Sequence, residues 1–96
     1  MILMALAAVA VAVVVLMLTF AAVKKWFRNN NTIQDKEHVN VVLKQRLKSG
    51  KYKTVGGIFN PKTEKVLDAT AWESKELDED LQALDRVAVL HDVSDD

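Results

Sequence analysis

The two histidines are the residues of this sequence best suited to acid–base or metal chemistry. His91 precedes Asp92, which could orient its ring as in a catalytic dyad, while His38 falls in an amphipathic segment. No nucleophile accompanies them, since the serines fall where caps, loops or the tail are expected. A metal site needs three or four suitably spaced ligands, and the chain has no cysteine. The sequence therefore predicts no catalytic residue, no metal site and no cofactor.

The adjacent glycines of "TVGGIFNPKTEKV", Gly56 and Gly57, raise the question of phosphate binding. A phosphate-binding loop leads directly into a helix, where free N–H groups meet the anion. Here Pro61 follows after Ile-Phe-Asn and indicates a turn. The pair is better interpreted as a point of close backbone approach within a strand, against the preceding amphipathic segment or against Trp72. Trp72 itself is predicted to be buried, with an exposed docking residue as the alternative.

An acidic run, "ELDEDL", is the third chemical candidate. A calcium loop requires alternating ligands and a glycine at its sharp turn, which this run lacks. Acidic residues in the first turn of a helix are favourable without any ion. We therefore interpret the acidic 73–80 segment as a docking surface for a partner protein, together with any exposed edge of the predicted three-stranded sheet. Its candidate contact residues are Glu76, Asp78, Glu79 and Asp80.

A basic run between residues 44 and 53 is the fourth candidate. Its positive side chains suit phosphates, lipid headgroups or an acidic protein surface, and Tyr52 is its only aromatic residue. Nucleic-acid binding is the less favoured alternative for this run. The candidate partner or lipid contacts are Lys44, Arg46, Lys48, Lys51 and Lys53.

Charge is distributed unevenly along a chain whose net charge is zero. Residues 24–53 contain nine Lys or Arg and two Asp or Glu, a net charge of +7. Residues 54–96 contain four Lys or Arg and eleven Asp or Glu, a net charge of −7. The basic half therefore follows the apolar N-terminal region directly, which suits an anionic membrane surface.

The elements that must position these residues begin with an uncharged run, residues 1–23. As a helix it would reach about 34 Å, which exceeds the ~30 Å of a hydrocarbon core. A cleavable signal peptide is the alternative, but that class has a basic start and a shorter apolar core. The run therefore predicts a single transmembrane helix of the signal-anchor type.

Positive and aromatic residues follow this run in a juxtamembrane linker, residues 24–32. Such residues favour the cytoplasmic side and the membrane interface, so we expect the N-terminus outside and the remainder in the cytoplasm. The predicted membrane-interface residues are Lys24, Lys25, Trp26, Phe27 and Arg28.

The remaining residues, 33–92, predict a small cytoplasmic α+β domain, followed by an acidic tail at 93–96. Apolar spacing predicts a helix over 33–48, and the glycine-containing stretch predicts a β-hairpin over 51–72. A leucine stripe at Leu77, Leu81 and Leu84 predicts a second helix, and 87–91 a third strand. The expected order is α-β-β-α-β with a three-stranded sheet.

These features together indicate a non-catalytic single-pass membrane protein. We expect its cytoplasmic domain to anchor or dock a protein partner, for example as an accessory subunit of a membrane complex. The expected partners are the lipid bilayer and a protein of unknown identity, and a homo-oligomer is left open. The alternative is a membrane-tethered nucleic-acid-binding protein that uses the basic 44–53 run; an enzyme is the least favoured class.

Overall fold

The computed structural model describes residues 2–30, 38–91 and 93. In chain order they form α1 (Ile2–Ala7), β1 (Val13–Leu18), α2 (Phe20–Asn30), β2 (Val39–Arg46), β3 (Tyr52–Asn60), β4 (Lys65–Leu77), α3 (Glu79–Ala83) and β5 (Val87–Leu90).

The strands form one five-stranded sheet in the order β1-β4-β3-β2-β5. β1 runs parallel to β4, and every other neighbouring pair is antiparallel. β3 and β4 form the hairpin predicted for 51–72, and β5 confirms the third predicted strand. The expectation of only three strands was wrong, since β1 and β2 both come from segments predicted to be helical.

The sheet is covered on both faces by helices. On one face, Phe27 of α2 packs in a buried cluster with Val42, Ile58 and Trp72. On the other face, Leu6 of α1 packs with Val41, Val55 and Ala71. Because both faces are covered, the central strands have apolar residues at successive positions rather than at alternate ones.

This two-sided burial explains why the helix predicted over 33–48 was wrong. Asn40, Val41, Val42 and Leu43 are all buried, and they belong to β2. Val41, Val42 and Leu43 form a continuous apolar run that satisfies helical spacing by chance, whereas the β-branched valines favour a strand. The first part of that predicted helix, residues 33–37, lies outside the described residues.

The transmembrane helix predicted for residues 1–23 is also contradicted. The run divides into α1, β1 and the first turn of α2, and no helix among the described residues is long and apolar enough to cross a membrane. Three successive valines, Val13 to Val15, favour a strand, and β4 provides a neighbour for it. This finding overturns the predicted single-pass, signal-anchor topology, with its outside N-terminus and cytoplasmic domain.

The second half of β4 replaces the start of the second predicted helix. β4 continues to Leu77, so α3 is a helix of only five residues, Glu79–Ala83. Asp78 caps α3, and its Oδ1 accepts a hydrogen bond from the Leu81 backbone N–H at 3.0 Å. Leu77 and Leu81 are buried in the cluster beneath α2, and Leu84 is partly buried against it.

Candidate functional site

β1 is an edge strand with a large exposed apolar surface. β4 pairs with one side of β1, and none of the other described strands pairs with its outer side. Val14 is 67% exposed, Leu16 80% and Met17 49%. Val14 and Leu16 lie on one face of the sheet and Met17 on the other, so apolar side chains are exposed on both sides of this edge. Single exposed apolar residues are common, but a group of them along one edge favours an interaction surface.

Along this outer side, the backbone N–H and C=O groups of β1 pair with none of the other described strands. The Ala12 N–H donates to the Ala71 carbonyl at 2.9 Å, and the Leu18 carbonyl accepts from the Asp78 N–H at 3.0 Å. Since successive residues of a strand direct their N–H and C=O groups to opposite sides, the even-numbered residues face β4. The N–H and C=O groups of Val13, Val15 and Met17 therefore point away from the sheet.

The opposite edge, β5, differs from β1 in length and charge. β5 has four residues and is flanked by Asp85, Arg86 and His91. Shortness and flanking charge are common ways to protect an edge strand from pairing. β1 has six residues, and no charged residue occurs between positions 1 and 23. β1 is therefore the edge suited to strand pairing.

The basic candidates do not form one surface. Lys53 pairs with Gln45, so it lies on the opposite sheet face from Lys44 and Arg46. Its Nζ donates to the Ala7 carbonyl at the end of α1, at 3.0 Å. The Lys51 Nζ lies 3.8 Å from the Glu73 Oε2, in a partly exposed ion pair. Two of the five basic candidates thus interact with groups on neighbouring elements.

Lys44 is also engaged within the fold. Its Nζ donates to the carbonyls of Leu81 at 2.7 Å and Leu84 at 2.5 Å, at the end of α3. Burial lowers the pKa of Lys44 below its ordinary value, and the charge of Asp85 partly offsets this shift. Lys44 therefore stabilises the end of a helix, which sequence spacing alone did not indicate.

Arg46 and Lys48 are the basic candidates most open to a ligand, since both are exposed. The Arg46 guanidinium lies 5.6 Å from the Tyr52 ring centre, a cation–π contact. Arg46 also lines a groove of about 540 Å³ that contains acidic candidates. The groove includes Met17, Arg46, Tyr52, Glu76, Asp78 and Glu79. Its mixed charge does not match a phosphate-binding surface.

Among the acidic candidates, Asp78 has a structural role. Its Oδ2 accepts a hydrogen bond from the Phe20 backbone N–H at 3.1 Å, while its Oδ1 caps α3. Glu76, Glu79 and Asp80 are exposed, so they remain available to a partner.

The predicted membrane-interface residues form part of α2, which covers the sheet. Phe27 is fully buried, and Trp26 makes edge-on ring contacts with Phe27 and Trp72 at 5.0 and 6.1 Å. Lys24 lies over the Phe20 ring, and Arg28 donates to the Val93 carbonyl at 2.6 Å. Lys25 is exposed.

The glycine pair serves packing on both faces of the sheet. A Cβ at Gly56 would lie 3.2 Å from Trp72 and 3.3 Å from Phe27. A Cβ at Gly57 would collide with a methyl group of Leu6. The predicted approach of Trp72 is confirmed, and Trp72 is only 7% exposed. The helices that approach the pair are α1 and α2, not the segment that the sequence indicated.

The described residues contain no group of three His, Cys, Asp or Glu side chains that could hold a metal ion. His38 immediately precedes β2 and His91 immediately follows β5, and these two strands are neighbours. The antiparallel register places them at the same end of the sheet.

Sequence reasoning missed Val13, Val14, Leu16 and Met17 as candidate contact residues. The available signal was the group of three valines, which favours a strand over a helix. A second signal was Thr19, whose Oγ1 accepts from the Ala22 N–H at 3.1 Å and caps α2.

Comparison with known proteins gives this edge no precedent, since no family model, curated protein or solved structure matches the chain. The features that indicate a function are therefore those of β1 itself.

Proposed function

We propose that this protein is a non-catalytic protein-interaction domain that binds its partner by β-strand pairing along the outer edge of β1. The observation that supports this proposal is an uncharged six-residue edge strand whose Leu16 side chain is 80% exposed. Strand addition provides backbone hydrogen bonds for affinity, and alternate side chains provide specificity. β1 offers both kinds of contact on one continuous edge.

The fold itself supports the choice of this edge. Natural proteins protect edge strands with charges, prolines or bulges, because an unprotected edge associates with other chains. β1 has none of these devices, while the shorter β5 is flanked by charged residues. An edge left open in this way is suited to docking.

The nucleic-acid alternative has weaker support. Lys44 and Lys53 donate hydrogen bonds to backbone carbonyls, and Lys53 lies on the opposite face from Arg46. Of the five residues, only Arg46 and Lys48 are exposed charges without a hydrogen bond or ion pair to the described residues, and Arg46 also contacts the Tyr52 ring.

Site-specific photo-crosslinking tests the proposal. A photoreactive phenylalanine analogue replaces Leu16 in the full chain, and the matched control carries it at Val89, which is exposed on β5. In cells that produce the protein, illumination should give a discrete protein adduct from position 16 and much less from position 89. Equal adducts at both positions, or none at position 16, would contradict docking at β1.

A further inference from the structure

We propose that the partner at the β1 edge is a second copy of this chain. This inference rests on the proposed function. The two β1 strands run antiparallel about a twofold axis that passes between the two Val15 residues. The two five-stranded sheets then form one ten-stranded sheet.

In this arrangement, the outward N–H and C=O groups of one β1 strand face the same groups of the other β1 strand. In an antiparallel pair, residues directly opposite each other exchange both of their hydrogen bonds at alternate positions. With Val15 opposite Val15, Val13 lies opposite Met17 of the second copy. The three residues whose N–H and C=O groups point outward thus pair only with one another.

The exposed apolar side chains of the two β1 strands also lie opposite one another. Val14, 67% exposed, lies opposite Leu16 of the second copy, and Leu16, 80% exposed, lies opposite Val14. These are positions without hydrogen bonds between the strands, where the side chains approach most closely, with Cα atoms about 4.5 Å apart. The pairing therefore covers the two most exposed apolar side chains of the strand.

The charges of Glu73 and Lys75 on β4 favour this register over the two registers shifted by two residues. On β4, Glu73 is the register partner of Val14. Lys75 lies beside Leu16, because the residues on either side of it, Ser74 and Glu76, pair with Val15 and Met17. The twofold axis therefore aligns Glu73 of one copy with Lys75 of the other across the two β1 strands. Their strand positions are roughly 14 Å apart, and both side chains are long enough to narrow this gap.

Shifting the register by two residues is the smallest step that keeps each side chain on its face. A shift in one direction aligns Glu73 with Glu73, and a shift in the other aligns Lys75 with Lys75. Both shifts replace attraction with repulsion, and the Lys51–Glu73 ion pair within each copy reduces the size of this effect at Glu73. The chain as a whole has zero net charge, so two copies experience no net repulsion as they approach.

Sedimentation equilibrium of the full chain tests the dimer. Wild type should show a monomer–dimer equilibrium, and Leu16→Lys should raise the dimer Kd about tenfold or more, because each copy loses an apolar side chain that the dimer buries. Val89→Lys, the matched change on the other edge, should leave Kd unchanged. A wild-type chain that stays monomeric at about 1 mM, or forms open-ended polymers, would overturn the proposal.

Disulfide formation tests the register, because the chain contains no native cysteine. Val15→Cys should oxidise to a covalent dimer, since its Cα atoms would lie about 5.5 Å apart, within the range of a disulfide. Val13→Cys is the control on the same side of the same strand. Its two copies would be offset by four residues, roughly 13 Å along the strand, and should not crosslink. Equal crosslinking by both variants would overturn the proposed register.

The photo-crosslinking result separates this inference from the proposed function. An adduct at position 16 with twice the mass of the chain supports both. Adducts only with other proteins, from a chain that sediments as a monomer, overturn the dimer and leave docking at β1 intact. The absence of any adduct overturns both.

Discussion

Gly57 illustrates at the residue scale how the sheet accommodates α1. Its missing side chain leaves room for Leu6, which is fully buried against Val55 and Ala71. A valine at this position would force Leu6 or the sheet to move, and overpacking of this kind costs about 1–3 kcal/mol.

We therefore expect Gly57→Val to lower the free energy of unfolding by about 1–3 kcal/mol, measured by urea denaturation. Leu6→Ala removes the colliding methyl group, so the double variant should be more stable than the sum of the single changes by at least about 0.5 kcal/mol. Strict additivity would show that Leu6 does not lie against Gly57.

Asp78 connects three elements through one side chain and its backbone. Its carboxylate accepts from the Phe20 and Leu81 N–H groups, and its own N–H donates to Leu18. Asp78→Ala should lower the free energy of unfolding by about 1–3 kcal/mol, because two helix starts lose an acceptor.

Asp80→Ala is the control for this change, since Asp80 is exposed in the first turn of α3. Its effect should stay within about 0.5 kcal/mol. Equal losses for the two variants would mean that general helix charge, rather than capping by Asp78, stabilises this region.

For individual residues, the sequence predicted core packing better than it predicted the contacts of the candidate site residues. The burial of Trp72 and its approach to the glycine pair followed from residue type and spacing. The engagement of Lys44 and Lys53 with helix carbonyls did not, because the acceptors are distant in sequence. Only the assembled fold brings Lys44 to residues 81 and 84.

At the scale of elements, apolar runs without alternation are the main source of error. β2 is buried on both faces, and β1 lies within an uncharged segment, so neither shows the alternation of a half-exposed strand. The β3–β4 hairpin was predictable because Asn60 and Pro61 mark its turn, where the Asn60 Oδ1 accepts from the Lys62 N–H at 2.9 Å.

Paired cysteines test the placement of β1 beside β4. Met17→Cys with Glu76→Cys should crosslink within one chain on oxidation or with a short bifunctional thiol reagent, because these residues are register partners. Met17→Cys with Val89→Cys is the control, since four strand spacings of about 4.8 Å separate the two edges. Intact mass and peptide mapping identify the bond. No crosslink in the first variant would contradict the strand assignment.

For the whole molecule, the two edge strands of the sheet, β1 and β5, differ in length and in flanking charge. The uneven charge along the sequence suggested a basic membrane-facing half, but the fold distributes the basic candidates over both faces and aligns acidic residues with Arg46 in one groove. Of the two edge strands in the described part of the chain, β1 is the longer one and lies in an uncharged segment. Docking at this edge requires that β1 forms beside β4 and that its outer side pairs with another strand.

Amide hydrogen exchange measured by NMR residue by residue along β1 tests this central claim most directly. In dilute samples, the amides of Val14 and Leu16 should be protected by β4, while those of Val13, Val15 and Met17 exchange rapidly. At high concentration, these three should also become protected. Uniform protection of all five amides in dilute samples, or rapid exchange of all five at every concentration, would contradict the account.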